Sequence, residues 1–203
     1  MSIEIDKALE EYNNYIVKKL SRKRYLHSLS VSYTSAALAM RYGEDVLKAQ
    51  IAGLLHDCAK GIDKDVLIEK CRKNGIEVTD ADIASPELLH SKYGSFIARK
   101  DLNISDKDIL NAIYYHTTGR PNMTRLEQII FVADYIEPYR AKLPNLEDIR
   151  MLSFIDIDKA IYRICGSSIE YLEAKGATID SITLDTYNFY LDKEVKNHGI
   201  NRE

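Results

Sequence analysis

Tryptophan is absent from the 203 residues, and glycine (9) and proline (4) are scarce. Few helix breakers and no convincing period-2 run argue against a sheet-built fold. The expected class is all-α. Cysteine is sparse as well. Cys58, Cys71 and Cys165 are odd in number, widely spaced, and form no Cys-x-x-Cys. That argues against a disulfide framework or a cysteine-based zinc site and leaves reduced, mostly buried thiols. No run approaches the ~18 apolar residues that a membrane span needs. The segment Met1 to Lys7 is acidic and mixed, unlike a secretory signal, so a cytoplasmic address is expected. A basic excess is missing too: net charge is -3. Nucleic-acid binders usually show one, so neither nucleic acid nor membrane is an expected partner. No glycine-rich dinucleotide or Walker loop and no His-Glu-x-x-His occurs.

What is present reads as helices. Ile5, Leu9, Tyr12, Ile16 and Leu20 recur at helical spacing. Ser21 caps a second helix that stops at Gly43. Asp45 opens a third, ending near Asp57, with Gly61 marking the break. A fourth runs from about Lys64 to Asn74, followed by a polar link from Ile76 to Ser85. Ser85-Pro86 is a start signal for a helix with His90 one turn in. Ser105 with Asp108 resembles a capping box, as does Thr124 with Glu127. The first of these helices ends at His116; the second carries Asp134 and stops before Pro138. Further helices fall near Leu146–Met151, near Ile157–Ala174 and from about Thr183. No repeat or linker interrupts them. One domain is expected over 1–203, with its core at about 20–140 and C-terminal helices at 145–198 packed on it.

Four of the five histidines adjoin apolar runs: His27, His56, His90 and His116. The fifth, His198, lies in a polar tail and reads as exposed. Singly, each of the four is first a hydrogen-bonded core residue. The pair His56-Asp57 changes that reading. It ends an apolar helix, where an unpaired buried carboxylate costs several kcal/mol or becomes neutral. A helix C-terminus also disfavours negative charge. A cation nearby would answer both objections. Asp134, inside the apolar run Ile129 to Ile136, repeats the pattern; an arginine partner is the competing explanation. Four imidazoles and two carboxylates suit Fe, Mn, Zn or Ni without choosing among them. Arranged as two linked sites, they would have Asp57 bridge both. His27, His56 and Asp134 would complete one site, with His90 and His116 at the other. Two adjacent ions suit phosphate-ester or anhydride hydrolysis by an activated water.

Lys18, Lys19, Arg22, Lys23 and Arg24 form a basic cluster, read first as a solvated helix end. Arg24 facing a phosphate is the sharper alternative. Lys60 is either a helix-end cation or a point charge for a phosphate oxygen. The 14 tyrosines read mostly as core or half-buried residues.

The order His…His-Asp…His…His…Asp on a helical chain resembles the HD superfamily of metal-dependent phosphohydrolases. Gly53-Leu54-Leu55-His56-Asp57-Cys58-Ala59-Lys60 is a more specific signal than His-Asp alone. Leu89-His90-Ser91-Lys92-Tyr93-Gly94, Tyr115-His116-Thr117-Thr118-Gly119-Arg120-Pro121 and Ala133-Asp134-Tyr135-Ile136-Glu137-Pro138 narrow it further. Over roughly residues 10–190 the sequence resembles the bacterial YqeK family.

The resemblance implies an iron-containing hydrolase that splits diadenosine tetraphosphate into two ADP, with a homodimer as a candidate assembly. It implies His27, His56, Asp57 and Asp134 as primary metal ligands, and His90, His116 and Thr117 at a second metal or the phosphates. Arg24 and Lys60 would contact phosphate, and Arg140 would steady the leaving ADP. The stretch Ala177-Thr178-Ile179-Asp180-Ser181-Ile182 would approach the nucleotide. There Asp180-Ser181 replaces a His-Pro pair of the family pattern, and Tyr187 replaces an Arg. Three other readings stay open: an HD phosphohydrolase for another nucleotide, a two-iron oxygenase, and a helical module without catalysis.

Overall fold

A computed structural model describes residues 2–140 and 143–197. His198 lies outside them, as does the side chain of Ile5. The described residues are helical with no strand, in the order α1 (Ser2–Lys19), α2 (Arg22–Tyr42), α3 (Val46–Leu55), α4 (Lys64–Lys73), α5 (Asp80–Ala84), a 3₁₀ turn (Pro86–Leu88), α6 (Leu89–Lys100), α7 (Lys107–Tyr115), α8 (Arg125–Ile136), α9 (Leu146–Ser153), α10 (Ile157–Ala174) and α11 (Ser181–Asn197).

Local chemistry sets most boundaries. The Ser21 side chain accepts from the Arg24 amide, and Gly43 closes α2 at φ +71°. Thr124 and Glu127 form a complete capping box on α8. Three boundaries differ from the sequence reading. The α7 cap is Asp106, not Ser105: its carboxylate accepts from the amides of Asp108 and Ile109. The polar link holds α5, capped by Thr79 and Asp82; five residues are too few to show a helical period. Ser85 makes no side-chain cap, and Pro86 opens the 3₁₀ turn. His90 is therefore the second residue of α6. The last helix begins at Ser181, slightly before Thr183.

The central feature is the close packing of α2 on α3. Their seam is built of small residues: Ser32, Ser35 and Ala39 on one side, Ala49, Ala52 and Gly53 on the other, all buried. A Cβ at Gly53 would stand 2.8 Å from Ser35 Oγ and 3.0 Å from Ser32 Cα. Helix α8, lined by Leu126, Ile129 and Ile130, packs against α2, α3, α7 and α10. Each such fully buried side chain stabilises by ~1.5–3 kcal/mol. Gln128 ties on the C-terminal pair, donating to Asp158 Oδ1 (2.7 Å) on α10 and Tyr190 OH (3.1 Å) on α11. No described helix is long and apolar enough to cross a membrane.

Gly53→Ala is expected to destabilise the fold. Alanine in a helix gains ~1 kcal/mol over glycine, but overpacking a tight core loses ~1–3 kcal/mol. The neighbour at 3.0 Å is backbone, so it cannot swing aside. A lower urea midpoint with unchanged slope is the expected result; equal stability would mean that the helices part without strain.

Candidate metal centre

The same packing brings three helix ends and two helix starts together. His27 lies in the second turn of α2, His56 caps the end of α3, and Asp57 follows in the turn. His90 opens α6, His116 caps the end of α7, and Asp134 sits in the last turn of α8. His56, Asp57, His90 and His116 are all 3% exposed or less.

The carboxylate of Asp57 divides the cluster. Its Oδ2 faces His56 Nε2 (3.6 Å), His27 Nε2 (3.8 Å) and Arg24 Nη1 (3.0 Å). Its Oδ1 faces His90 Nε2 (3.1 Å) and His116 Nε2 (3.7 Å). Asp134 Oδ1 completes the first group, 3.0 Å from His27 Nε2 and 3.7 Å from His56 Nε2. Arg140 Nη1 is 3.7 Å from that same oxygen, so the competing arginine partner is present at long range.

Ring orientation follows from the backbone. His56 Nδ1 donates to Gly53 O and His116 Nδ1 to Ile113 O, both at 2.7 Å. His90 Nδ1 likewise contacts Glu87 O. Each partner is the carbonyl three residues earlier, so the helix end itself holds the ring. With the proton on Nδ1, Nε2 presents a lone pair to the centre. His90 Nε2 and His116 Nε2 stand 3.1 Å apart. Two lone pairs at that range repel unless a proton or metal cation lies between. His56 Nε2 is buried without a hydrogen-bond partner, and His27 Nε2 is buried with only carboxylates beside it, Asp134 the nearer.

A divalent cation fits these orphaned nitrogens. Ligand atoms ~2.1 Å from one ion stand ~3.0–3.4 Å apart, close to the 3.0–3.8 Å spacings of the first group. His27, His56 and Asp134 meet the spatial requirement for a common ion, as do His56, Asp57 and His116.

Burial drives His56 down to about 4 and also lowers His90, so both rings are neutral near pH 7. Burial opposes the charge on Asp57, but the imidazoles of His56, His116 and His90 hold it well below the usual carboxylate range. Asp134 is likewise held low, chiefly by His27 acting against burial. Burial also opposes a charge on His27, yet Asp134, Asp57 and Glu137 outweigh it and raise its pKa. Cys58 is pushed up to about 12 by burial and then by Asp57. It is a protonated thiol donating to Gly94 O at 3.5 Å.

Cations rim the cluster. Burial lowers Lys60, whose Nζ lies 3.2 Å from His90 Nδ1. Thr117 Oγ1 donates to Ser91 Oγ at 3.3 Å, beside His90. Residues 177–182 take part in none of the hydrogen bonds or ion pairs of the centre. Asp180 acts electrostatically on Lys92, and Thr186, farther along α11, donates to Thr118 O at 3.1 Å. Helix α11 thus packs on the Thr118–Gly119 loop that follows His116, and residues 177–182 run into its start.

Two positioning residues were missed in the sequence. Glu137, 2% exposed, accepts from His27 Nδ1 at 3.3 Å and from the Tyr139 amide at 2.7 Å. Its signal was an acid one turn past Asp134 at the end of an apolar helix. Arg150 on α9 donates to Ile136 O (2.9 Å) and Glu137 O (2.8 Å), anchoring that turn. No sequence signal marks it, because the contact exists only once α9 folds back on α8.

Residues 24–139 match the HD domain family, and the chain belongs to it. Relatives narrow the group to the YqeK-type symmetrical tetraphosphatases. The symmetrical bis(5'-nucleosyl)-tetraphosphatase of Bacillus subtilis strain 168 is 36% identical over 89% of this chain and 96% of its own length. Its namesake in Halalkalibacterium halodurans is 41% identical over 83% and 89%. Among solved structures, an HD superfamily hydrolase from Clostridium acetobutylicum, described as involved in NAD metabolism, superposes with a TM-score of 0.88. It shares 41% identity and covers 91% of this chain and 97% of that one.

Proposed function

We propose that this chain hydrolyses diadenosine tetraphosphate symmetrically to two ADP, using a metal-activated water. The observation that carries the reading is Asp57, whose two oxygens face two separate pairs of imidazole Nε2 atoms. His27, His56, Asp57 and Asp134 would hold the first ion; His90 and His116, with Asp57, would hold the second. Iron is the metal we favour, with Mn, Ni and Zn compatible with the same donors. Bound there, such ions polarise phosphoryl oxygens and lower the pKa of a bound water. The protein's own part is to seat and neutralise the substrate. A tetraphosphate needs several fixed cations. Arg24 and Arg140 offer forked donors on one side of the centre, and Lys60 offers a point charge on the other. Residues 177–182, beyond Thr117, would meet one nucleoside. We read the chain as one domain, core 20–140 with helices 145–198 packed on it, working in the cytoplasm.

The test is a product assay with diadenosine tetraphosphate and Fe²⁺ or Mn²⁺. ADP alone is expected; AMP plus ATP would contradict symmetric cleavage. Lys60→Ala is expected to slow turnover roughly 10²-fold, the scale of losing one donor to a transition-state oxygen, with metal content unchanged. Wild-type rates in that variant would remove its phosphate role.

A further inference from the structure

The first ion group opens onto a cleft of about 520 Å³ whose walls include Arg24, Leu26, His27, Tyr139 and Arg140. A second groove, of about 720 Å³, continues from it and shares Leu26 and Tyr139. It runs along α2 past Tyr33 and Thr34 to Phe154, with Ile136 in its floor. Both volumes are in the range of small-ligand sites. The groove wall is aromatic and open: Tyr33 is 62% exposed, Tyr139 81% and Phe154 37%. Large apolar side chains left open side by side usually mark a binding surface.

Symmetric cleavage imposes a requirement on these surroundings. The bond broken is the central anhydride, so one diphosphate and one adenosine extend to each side of the metal centre. The substrate is symmetric but the protein around it is not, so two different surfaces must receive two identical nucleosides. Residues 177–182 run into the start of α11, which packs on the Thr118–Gly119 loop following His116. The groove leaves from the opposite side, where His27, Arg24 and Arg140 stand. Tyr33 is six residues beyond His27, ~9 Å along the helix, a reach that suits a diphosphate and a ribose.

We infer that the Leu26–Tyr33–Tyr139–Phe154 groove is the subsite for the second nucleoside, with Tyr33 and Tyr139 stacking on its base. The inference rests on the tetraphosphatase reading and adds a second binding arm to it. Arg24 and Arg140 would sit on the phosphates between metal and ribose. A subunit interface on the same face is the competing use of an open apolar surface.

Kinetics with diadenosine tetraphosphate decide it. Base–aromatic contacts of this kind correspond to roughly 5–150-fold in affinity. Tyr33→Ala is expected to raise KM about tenfold or more while kcat stays within about twofold. Tyr33→Phe, which keeps the ring, should stay near wild type, and so should Ile155→Ser, an exposed position outside the groove lining. An 8-azidoadenine analogue of the dinucleotide should photolabel peptides containing Tyr33 or Tyr139. Unchanged KM in Tyr33→Ala with an active wild type would overturn the subsite alone. A change in sedimentation of Tyr33→Ala without a change in KM would assign the face to self-association and overturn it too. A wild-type enzyme that releases no ADP would overturn both the subsite and the activity on which it rests.

Discussion

Asp57→Ala is expected to abolish turnover and to strip the protein of bound metal. One carboxylate faces every imidazole of the centre, divided between its two oxygens: Oδ2 toward His27 and His56, Oδ1 toward His90 and His116. Removing it deletes a donor from both groups at once, and no neighbour can replace it. Asp134 contacts only the first group among the described ion pairs. The loss should be roughly 10³-fold or more, beyond the scale of removing one electrostatic contact. The fold should survive, because Arg24, the cation left without its partner, is 43% exposed and can turn to solvent. Asp57→Asn, which preserves volume, should show the same metal loss. Metal content by mass spectrometry and product release are the measurements. Activity above about a tenth of wild type in a folded variant would sink the shared-carboxylate mechanism.

Chelation should lower thermal stability sharply. A ligand at 1,000 times its dissociation constant stabilises the native state by ~4 kcal/mol. For a chain of this size each kcal/mol moves Tm by ~2–4 °C, so removing the metal should lower Tm by about 8–16 °C. The physical source is on the inner wall: the buried Nε2 of His56 has no hydrogen-bond partner of its own, and that of His27 faces only the carboxylates of Asp134 and Asp57. Differential scanning fluorimetry of the purified protein, before and after treatment with a chelator, makes the measurement, and adding back Fe²⁺ or Mn²⁺ should restore it. An unchanged Tm, together with less than about one ion per chain, would remove every catalytic reading and leave a helical module with ordinary core histidines.

Much of the fold was legible because it is written in local chemistry. Ser21 and Gly43 bound α2, and Thr124 with Glu127 opens α8, each by hydrogen bonds that the sequence spacing specifies. The reading failed where two local solutions compete. Ser105 and Asp106 are both good caps, and only the backbone path chooses Asp106. The burial of an acid at the end of α3 was legible too, since Leu54-Leu55-His56-Asp57 sets a carboxylate where neither solvent nor helix dipole favours it. How the rings are held was not. That His56, His90 and His116 each turn Nδ1 back on the carbonyl three residues earlier is a matter of rotamer, which spacing does not encode. Arg150 was invisible for a different reason: its role depends on α9 lying against the α8 terminus.

The division of Asp57 between its two oxygens has a thermodynamic consequence. If each oxygen serves one ion, neither ion binds to an independent pocket. The first to arrive would fix the carboxylate plane and would withdraw electron density from the oxygen left for the second. Ordering favours the second ion, whereas mutual repulsion and the weakened donor oppose it. Whichever prevails, the change in affinity is reciprocal: what the first ion does to the second, the second does equally to the first. A titration with metal would then depart from two independent binding steps, and a half-loaded enzyme would be a distinct species with its own population.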